Sequence, residues 1–250
     1  MRTDEVIEMF ESLNAAAVDY YERNGFVVIR QMLSEQLIQR MLERVDGMLE
    51  GRCDPVGVTH LGAGSDQSNN DPGRLNKQII VREFPALDDV FRSFVDDGSM
   101  VGAACRLVES DEITCFQMQA MVKEPGCTNP TPWHQDNTYW RFDDDSVRGV
   151  TAWAPLTSTR ADDGTMWLLP GSHRGELLHH GAAGGVSKYQ AIQETIDEEK
   201  LLPLELAPGD VSFHHMNTIH GAYPNGGHNR RVAIATHFHN RTEQPQLASP

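Results

Sequence analysis

Basic residues are scarce in this 250-residue chain: 21 lysines and arginines stand against 36 aspartates and glutamates, a formal net charge of −15. That balance argues against nucleic acid or an anionic membrane as a main partner, because both need basic patches to displace counterions. A local basic pocket for a small anion is still compatible with it. Cysteine is scarce too. Cys53, Cys105, Cys115 and Cys127 lie far apart with no C-x-x-C, which fits neither a zinc knuckle nor a disulfide framework. They are expected to be reduced and packed. No apolar run approaches the roughly 20 residues of a membrane span. The start, M-R-T-D-E-V-I-E, is acidic and amphipathic where a secretory signal is basic and then apolar. A soluble, cytoplasmic protein of one domain is the expectation, and the chain shows no internal repeat.

What the chain does have is histidine, eleven in all. Seven of them (His134, His214, His215, His220, His228, His237 and His239) fall in strand-like or turn-like segments of the second half. The first half reads as helical. Val6, Ile7, Phe10, Leu13, Ala17 and Tyr20 or Tyr21 recur at three and four, predicting a helix from Thr3 to Asn24 that Gly25 stops. After the β-branched run F-V-V-I-R (Phe26 to Arg30), Ser34 is a candidate N-cap. The helix that follows is striped by Leu37, Ile38, Met41, Leu42, Val45 and Leu49, and Gly51 ends it. Residues 52–74 lack periodicity and read as a long loop, with Arg52 to Arg74 a candidate lid. Lys77 to Glu83 reads as a strand, and Pro85 to Phe94 and Ser99 to Val108 as helices.

From Glu112 the texture changes to short strands: I-T-C-F-Q-M-Q-A-M-V-K, V-T-A-W-A-P-L, T-M-W-L-L-P, L-P-L-E-L, D-V-S-F-H-H and R-V-A-I-A-T-H-F. Turn signals such as D-D-G, P-G-S, A-P-G-D and P-N-G-G separate them. The pattern predicts a mainly β barrel or sandwich over residues 111–240, flanked by the early helices. A short helix is expected between Tyr189 and Lys200, and a disordered tail from 242 onward.

His134 and Asp136 sit two apart in W-H-Q-D-N-T-Y-W, so on an extended chain both side chains leave one face. Alone, the pair reads more readily as a polar turn after Pro132. His220, eighty-four residues beyond Asp136, changes the balance. Two imidazoles and a carboxylate on one face leave three open positions on an octahedral ion, the arrangement of non-haem Fe(II) oxygenases. Eleven residues further, Arg231 opens an apolar strand. A guanidinium placed there asks for a carboxylate, either an acidic side chain or the distal end of an organic acid.

These segments, in this order, resemble the phytanoyl-CoA dioxygenase superfamily of Fe(II)/2-oxoglutarate oxygenases. The resemblance runs from Y-Y-E-R-N-G-F-V-V-I-R through K-E-P-G, W-H-Q-D, D-D-G-T-M-W-L-L-P-G-S-H-R-G and P-G-D-V-S-F-H-H to H-G-A-Y-P-N and R-R-V-A-I. It implies a double-stranded β-helix, the cupin-like jelly roll. It also implies His134, Asp136 and His220 as iron ligands and Arg231 as the anchor for 2-oxoglutarate, with dioxygen as the second co-substrate. Arg230 is the neighbouring alternative, although strand parity lets only one of the two point inward. The same resemblance suggests Gln119, Thr131 and Trp153 beside the co-substrate and Gln117 and Trp140 beside the substrate. Each also has a plain structural reading as a barrel amide, a turn hydroxyl or a core indole. By alternation, Cys115, Gln117, Gln119, Met121 and Lys123 should share one face.

The expected reaction is hydroxylation of a small metabolite or natural-product intermediate, with release of succinate and carbon dioxide. Halogenation is disfavoured because related halogenases carry a small residue where this chain has Asp136. No basic cluster for the phosphates of coenzyme A is evident; Lys77, Arg82 and Arg141 read as solvated. Two other readings stand beside this one: a redox-inert zinc cupin acting as hydrolase or isomerase, and a metal-dependent binding module. His173 in G-S-H-R is assigned to turn geometry, and His214 and His215 to support or packing, with His214 on the face of His220 and His215 opposite.

Overall fold

The computed structural model describes residues 6–50, 52, 58–61, 76–81, 89–140, 147–182, 189–191 and 196–240. Most of the candidate lid lies outside these residues, as do Cys53, Arg82, Arg141 and the tail. Within the lid range a strand, β3 (Val58–Leu61), pairs with β4 (Asn76–Val81), so that stretch is not wholly loop.

The opening differs from the expected long helix. Met9–Phe10 form β1, which runs parallel to β2 (Phe26–Ile29), and the helix α1 begins only at Ala15 and ends at Asn24. Asn14 decides its start by accepting from the amide of Ala17 at 3.0 Å. Gly25 decides its end: at φ 79° it donates its amide to the Tyr21 carbonyl. In α2 (Glu35–Leu49), Ser34 caps the start as expected, accepting from Leu37 at 3.2 Å. Two further helices follow, α3 (Asp89–Val95) and α4 (Gly98–Leu107), the latter capped by Asp97.

The β core consists of two facing sheets. The large sheet runs β1-β2-β12-β7-β14-β5-β4-β3, where β5 is Thr114–Lys123, β7 Gly149–Pro155, β12 Val211–His215 and β14 Arg231–His239. The small sheet runs β11-β8-β13-β6, with β6 Thr131–His134, β8 Trp167–Leu168, β11 Leu202–Pro203 and β13 His220–Ala222. Non-sequential neighbours throughout mark this as the double-stranded β-helix, a jelly roll. Of the range from Tyr189 to Lys200 expected to hold a short helix, residues 192–195 lie outside the described residues; the rest holds β10 (Tyr189–Ala191), paired with β9 (His180–Ala182), and one 3₁₀ turn at Glu198–Lys200. Three-residue strands carry too little period for a pattern to register.

Side-chain parity separates two cores. Val150, Ala152, Ala154, Val232, Ile234 and Phe213 face the helices and pack with Tyr21, Met41, Phe91 and Met100. On the opposite face of the large sheet, Phe26, Val28, Trp153, Ala233 and Ala235 pack against Met166, Leu168 and Leu204 between the sheets. With both faces covered, strands such as β7 and β14 are buried throughout, so they read as near-continuous apolar runs.

Gly25 ties these layers together. A Cβ there would lie 2.4 Å from His173 Nδ1 and 2.6 Å from Thr218 Oγ1, in a backbone conformation that penalises any side chain. Gly25→Ala should lower stability by about 2–4 kcal/mol, measured as a reduced urea midpoint with unchanged slope. A midpoint equal to wild type would mean that this junction is slack.

Candidate metal centre

The two sheets meet around one carboxylate. His134 closes β6 and His220 opens β13, and the antiparallel register sets them directly opposite each other. Their rings lie 4.2 Å apart, centroid to centroid. Gly221 permits this pairing, because a Cβ on it would come within 2.5 Å of the Trp133 ring and 2.9 Å of the Thr131 carbonyl. Asp136 is not on the strand. It sits in the turn between β6 and α5 (Asn137–Trp140), a turn pinned by Gln135, which donates to the Asn217 carbonyl at 2.9 Å and accepts from the Leu178 amide at 2.8 Å.

The histidines are held in one tautomer. His134 Nδ1 donates to the Pro132 carbonyl at 2.7 Å and His220 Nδ1 to the Thr218 carbonyl at 2.9 Å. Each Nε2 is thereby left as a bare lone pair. Those nitrogens lie 3.7 and 3.6 Å from Asp136 Oδ1, and the three donor atoms fall within 4.8 Å of one another. Burial lowers both imidazoles to about 4, so they are neutral at neutral pH. Burial alone would raise the Asp136 carboxyl, but the surrounding His220, His214 and His237 hold it well below the ordinary range. Two neutral imidazoles and one anionic oxygen form a donor set for a divalent ion.

The other expected residues fall as follows. Arg231 points inward and is 2% exposed, and no acidic side chain among the described residues lies within ion-pair distance of it. The neighbouring Arg230 instead pairs with Asp46 at 2.6 Å and Glu124 at 2.9 Å. Trp153 is buried on the same inner face, and its Nε1 has no hydrogen-bond partner among the described residues. Gln119 directs its amide nitrogen to His237 Nε2 at 3.2 Å. Gln117 is buried beside it, across from His237. Thr131 begins β6 opposite Ala222. Trp140 packs edge-on to Phe116 and His237, at 4.9 and 5.1 Å between centroids.

One expected face is broken. A β-bulge between His237 and Phe238 leaves Phe116 as an extra residue of β5, and beyond it Cys115 packs on the helix side. Phe116 takes the inner position against Trp140 and Met216. Three further residues reach Asp136 without having been singled out as a group: Thr151, His214 and His237. His214 Nε2 stands 3.3 Å from Asp136 Oδ2, with neither ring nitrogen in an aligned hydrogen bond. Thr151 and His237 sit on β7 and β14 at inward parity, the signal that could have identified them. Lys123 is also buried, opposite Arg231, and donates to the Tyr223 carbonyl at 2.6 Å. In G-S-H-R, His173 and Arg174 both donate to the Glu22 carbonyl, fastening the end of α1.

Fold and geometry together define a jelly-roll protein with a buried cluster of two histidines and one carboxylate that could hold a metal ion. The family model for phytanoyl-CoA dioxygenase (PhyH) matches residues 21–233, and the chain belongs to that family. It is 27% identical over 227 residues to the peroxisomal phytanoyl-CoA dioxygenase of Homo sapiens, covering 88% of this chain but 66% of the human protein. Among solved structures it is similar to EctD from S. alaskensis with 2-oxoglutarate and 5-hydroxyectoine. That match has a TM-score of 0.71 at 18% identity, over 97% of this chain and 81% of the other. It is also similar to the epimerase SnoN in complex with Fe3+, alpha ketoglutarate and nogalamycin RO, with a TM-score of 0.68 at 19% identity, over 89% and 82%. No helix among the described residues is long and apolar enough to cross a membrane.

Burial also lowers His215 to about 4. An unfolded chain takes up these histidine protons near pH 6.5, whereas the folded chain does so only near 4. The unfolded state therefore holds more protons in between, and stability falls as pH drops through that window. For metal-free protein the loss should be about 1.4 kcal/mol per pH unit for each such histidine, with a plateau above pH 7. Urea titrations at pH 7.5, 6 and 5 test this; a midpoint that ignores pH would contradict neutral burial.

Proposed function

We propose that the chain is an Fe(II)- and 2-oxoglutarate-dependent dioxygenase that oxidises a C–H bond of a small molecule. The observation that carries this is the tautomer-locked pair His134 and His220 converging with Asp136, in a jelly roll that also buries Arg231 without an acidic partner among the described residues. The donor set fits the ion: His134 Nε2, His220 Nε2 and Asp136 Oδ1 would hold it. When bound, iron and 2-oxoglutarate supply activation of dioxygen, with release of succinate and carbon dioxide.

The remaining work belongs to the protein's own residues. Arg231 spends three of its five N–H groups on the carbonyls of Gly164 and Met121. This fixes the guanidinium plane and leaves two N–H groups for the distal carboxylate of 2-oxoglutarate. Burial lowers Arg231 only to about 10, so it stays charged. Lys123 is pulled to about 6 by burial and then by Arg231, so the positive charge at pH 7 sits on the arginine. Trp153 brings an unpartnered N–H to the same inner face, suited to a carboxylate oxygen. Phe116, Trp140 and Met216 supply an apolar wall that excludes water beside the centre.

Several features support a small-molecule substrate: the acidic chain, and the small ligands of similar structures, 5-hydroxyectoine and nogalamycin RO. Hydroxylation of a metabolite or natural-product intermediate is the outcome we favour, because Asp136 fills the position a halide would need. We propose further that the helices and the jelly roll act as one domain, since α1 to α4 and the outer sheet face share a single apolar cluster.

Anaerobic protein given Fe(II) and 2-oxoglutarate should develop a weak visible charge-transfer band that His134→Ala abolishes. A zinc cupin gives no such band, and a binding module that holds iron and 2-oxoglutarate without turnover releases no succinate. Arg231→Met should weaken 2-oxoglutarate binding by about 100-fold, as expected for losing a buried charge-assisted pair, while leaving Fe(II) binding intact. Succinate release across a panel of amino acids, phosphonates, acyl thioesters and secondary metabolites, with mass spectrometry for a gain of sixteen mass units, would then find the substrate. No band and no succinate with any of them would defeat the dioxygenase reading.

A further inference from the structure

We infer that Gln119, His237 and Thr151 form a proton-ordered strut that grips the far oxygen of Asp136 and presents only Oδ1 to the metal. This rests on the metal-centre reading above and assigns positioning residues to it. The three side chains come from neighbouring strands β5, β14 and β7, whose register sets His237 directly across from Thr151 and Ala235 across from Gln119. They line up across the sheet. Gln119 Nε2 lies 3.2 Å from His237 Nε2, His237 Nδ1 lies 2.8 Å from Thr151 Oγ1, and Thr151 Oγ1 lies 2.6 Å from Asp136 Oδ2.

The donors and acceptors admit one direction. An amide nitrogen only donates, so His237 Nε2 must accept from Gln119 and its ring proton must sit on Nδ1. That proton goes to Thr151 Oγ1. The threonine hydroxyl, having accepted, sends its own proton to Asp136 Oδ2. Every hydrogen bond therefore points toward the carboxylate, and successive bonds of one sense polarise each other. The rings of Trp140 and Phe116, 5.1 and 6.0 Å from that of His237 between centroids, fix its plane, and Thr151 and His237 are 1% and 4% exposed. Water is thus a poor substitute for either.

The strut makes the two oxygens of Asp136 unequal. Oδ2 carries the Thr151 hydroxyl, with His214 Nε2 at 3.3 Å beside it, whereas Oδ1 faces His134 and His220. A carboxylate free to turn could chelate through both oxygens and occupy a further coordination position. Held through Oδ2, it binds through one, and three positions stay open on an octahedral ion.

Metal-free protein titrated with Co(II), followed by its visible d–d absorption, tests this without turnover. Wild type should bind one equivalent. Thr151→Val and His237→Phe should each raise the Kd about 10- to 100-fold and change the band shape, as the carboxylate becomes free to chelate. Thr151→Ser keeps the hydroxyl, and His237→Asn places an amide nitrogen where Nδ1 was; both should recover near-wild-type binding. Thr151→Val combined with His237→Phe should bind no worse than the weaker single variant, because one broken link already cuts the strut. A purely packing role would lower the melting temperature of the metal-free variants yet leave Kd and band shape as in wild type, and that result overturns the strut. If His134→Ala binds Co(II) as wild type does, the metal centre itself is misplaced, a failure distinct from the first.

Discussion

A carboxylate sealed inside a protein is expensive unless charges or hydrogen bonds answer it on every side, and the interior of this jelly roll is arranged around one. Asp136 is 5% exposed. The small sheet brings His134 and His220 to one of its oxygens, and the large sheet brings Thr151, His214 and His237 toward the other. Five polar residues on inward positions would ruin an ordinary sandwich core. They are tolerable here because they share a single anion, and because a divalent ion would complete the charge balance of the set. The two sheets accordingly have separate tasks: one supplies the donor nitrogens, the other fixes how the carboxylate is turned.

That division depends on the outer face being finished independently. Helices α1 to α4 bury the other side of the large sheet with Met41, Phe91, Phe94 and Met100 against Val150, Ile234 and Phe213. Full burial of these side chains contributes roughly 1.5–3 kcal/mol each, so the outer face stabilises the sheet independently of the polar residues at the site. Inward positions of β7 and β14 can then carry Thr151, Arg231 and His237 without loss of the fold.

The sequence was legible where side-chain chemistry and spacing both spoke. Alternation allowed only one of Arg230 and Arg231 to point inward; Arg231 is the buried one, and Arg230 pairs with Asp46 and Glu124. The same parity set His214 toward Asp136 and His215 away from it, near His173. Turn chemistry found the caps at Ser34 and Gly25. It was illegible where backbone pairing decided the outcome. Strand β1 hid in a helical period because two residues have no period of their own, and β13 was three residues long. The bulge that swaps Cys115 for Phe116 on the inner face is a property of the β5 and β14 pairing, invisible in either strand alone. The partners of Asp136 lie 15, 78 and 101 positions from it, on Thr151, His214 and His237. Only register brings them together.

Strand β14 shows how these constraints combine along one face. Its inward positions run Arg231, Ala233, Ala235, His237: a cation, two methyl groups, then the imidazole that braces Asp136. A strand advances about 3.3 Å per residue, so the cation and the brace sit roughly 20 Å apart along the backbone, with Ala233 and Ala235 between them on the same face. Both alanines are buried against Met166, Leu168 and Leu204, so any bulk at 233 or 235 would overpack the core between the sheets. Trp153, paired with Ala235 from β7, stands over that interval with its N–H unclaimed. One strand thus carries on a single face the buried cation proposed to hold 2-oxoglutarate and the imidazole that bonds Thr151 beside Asp136, with only small residues between them.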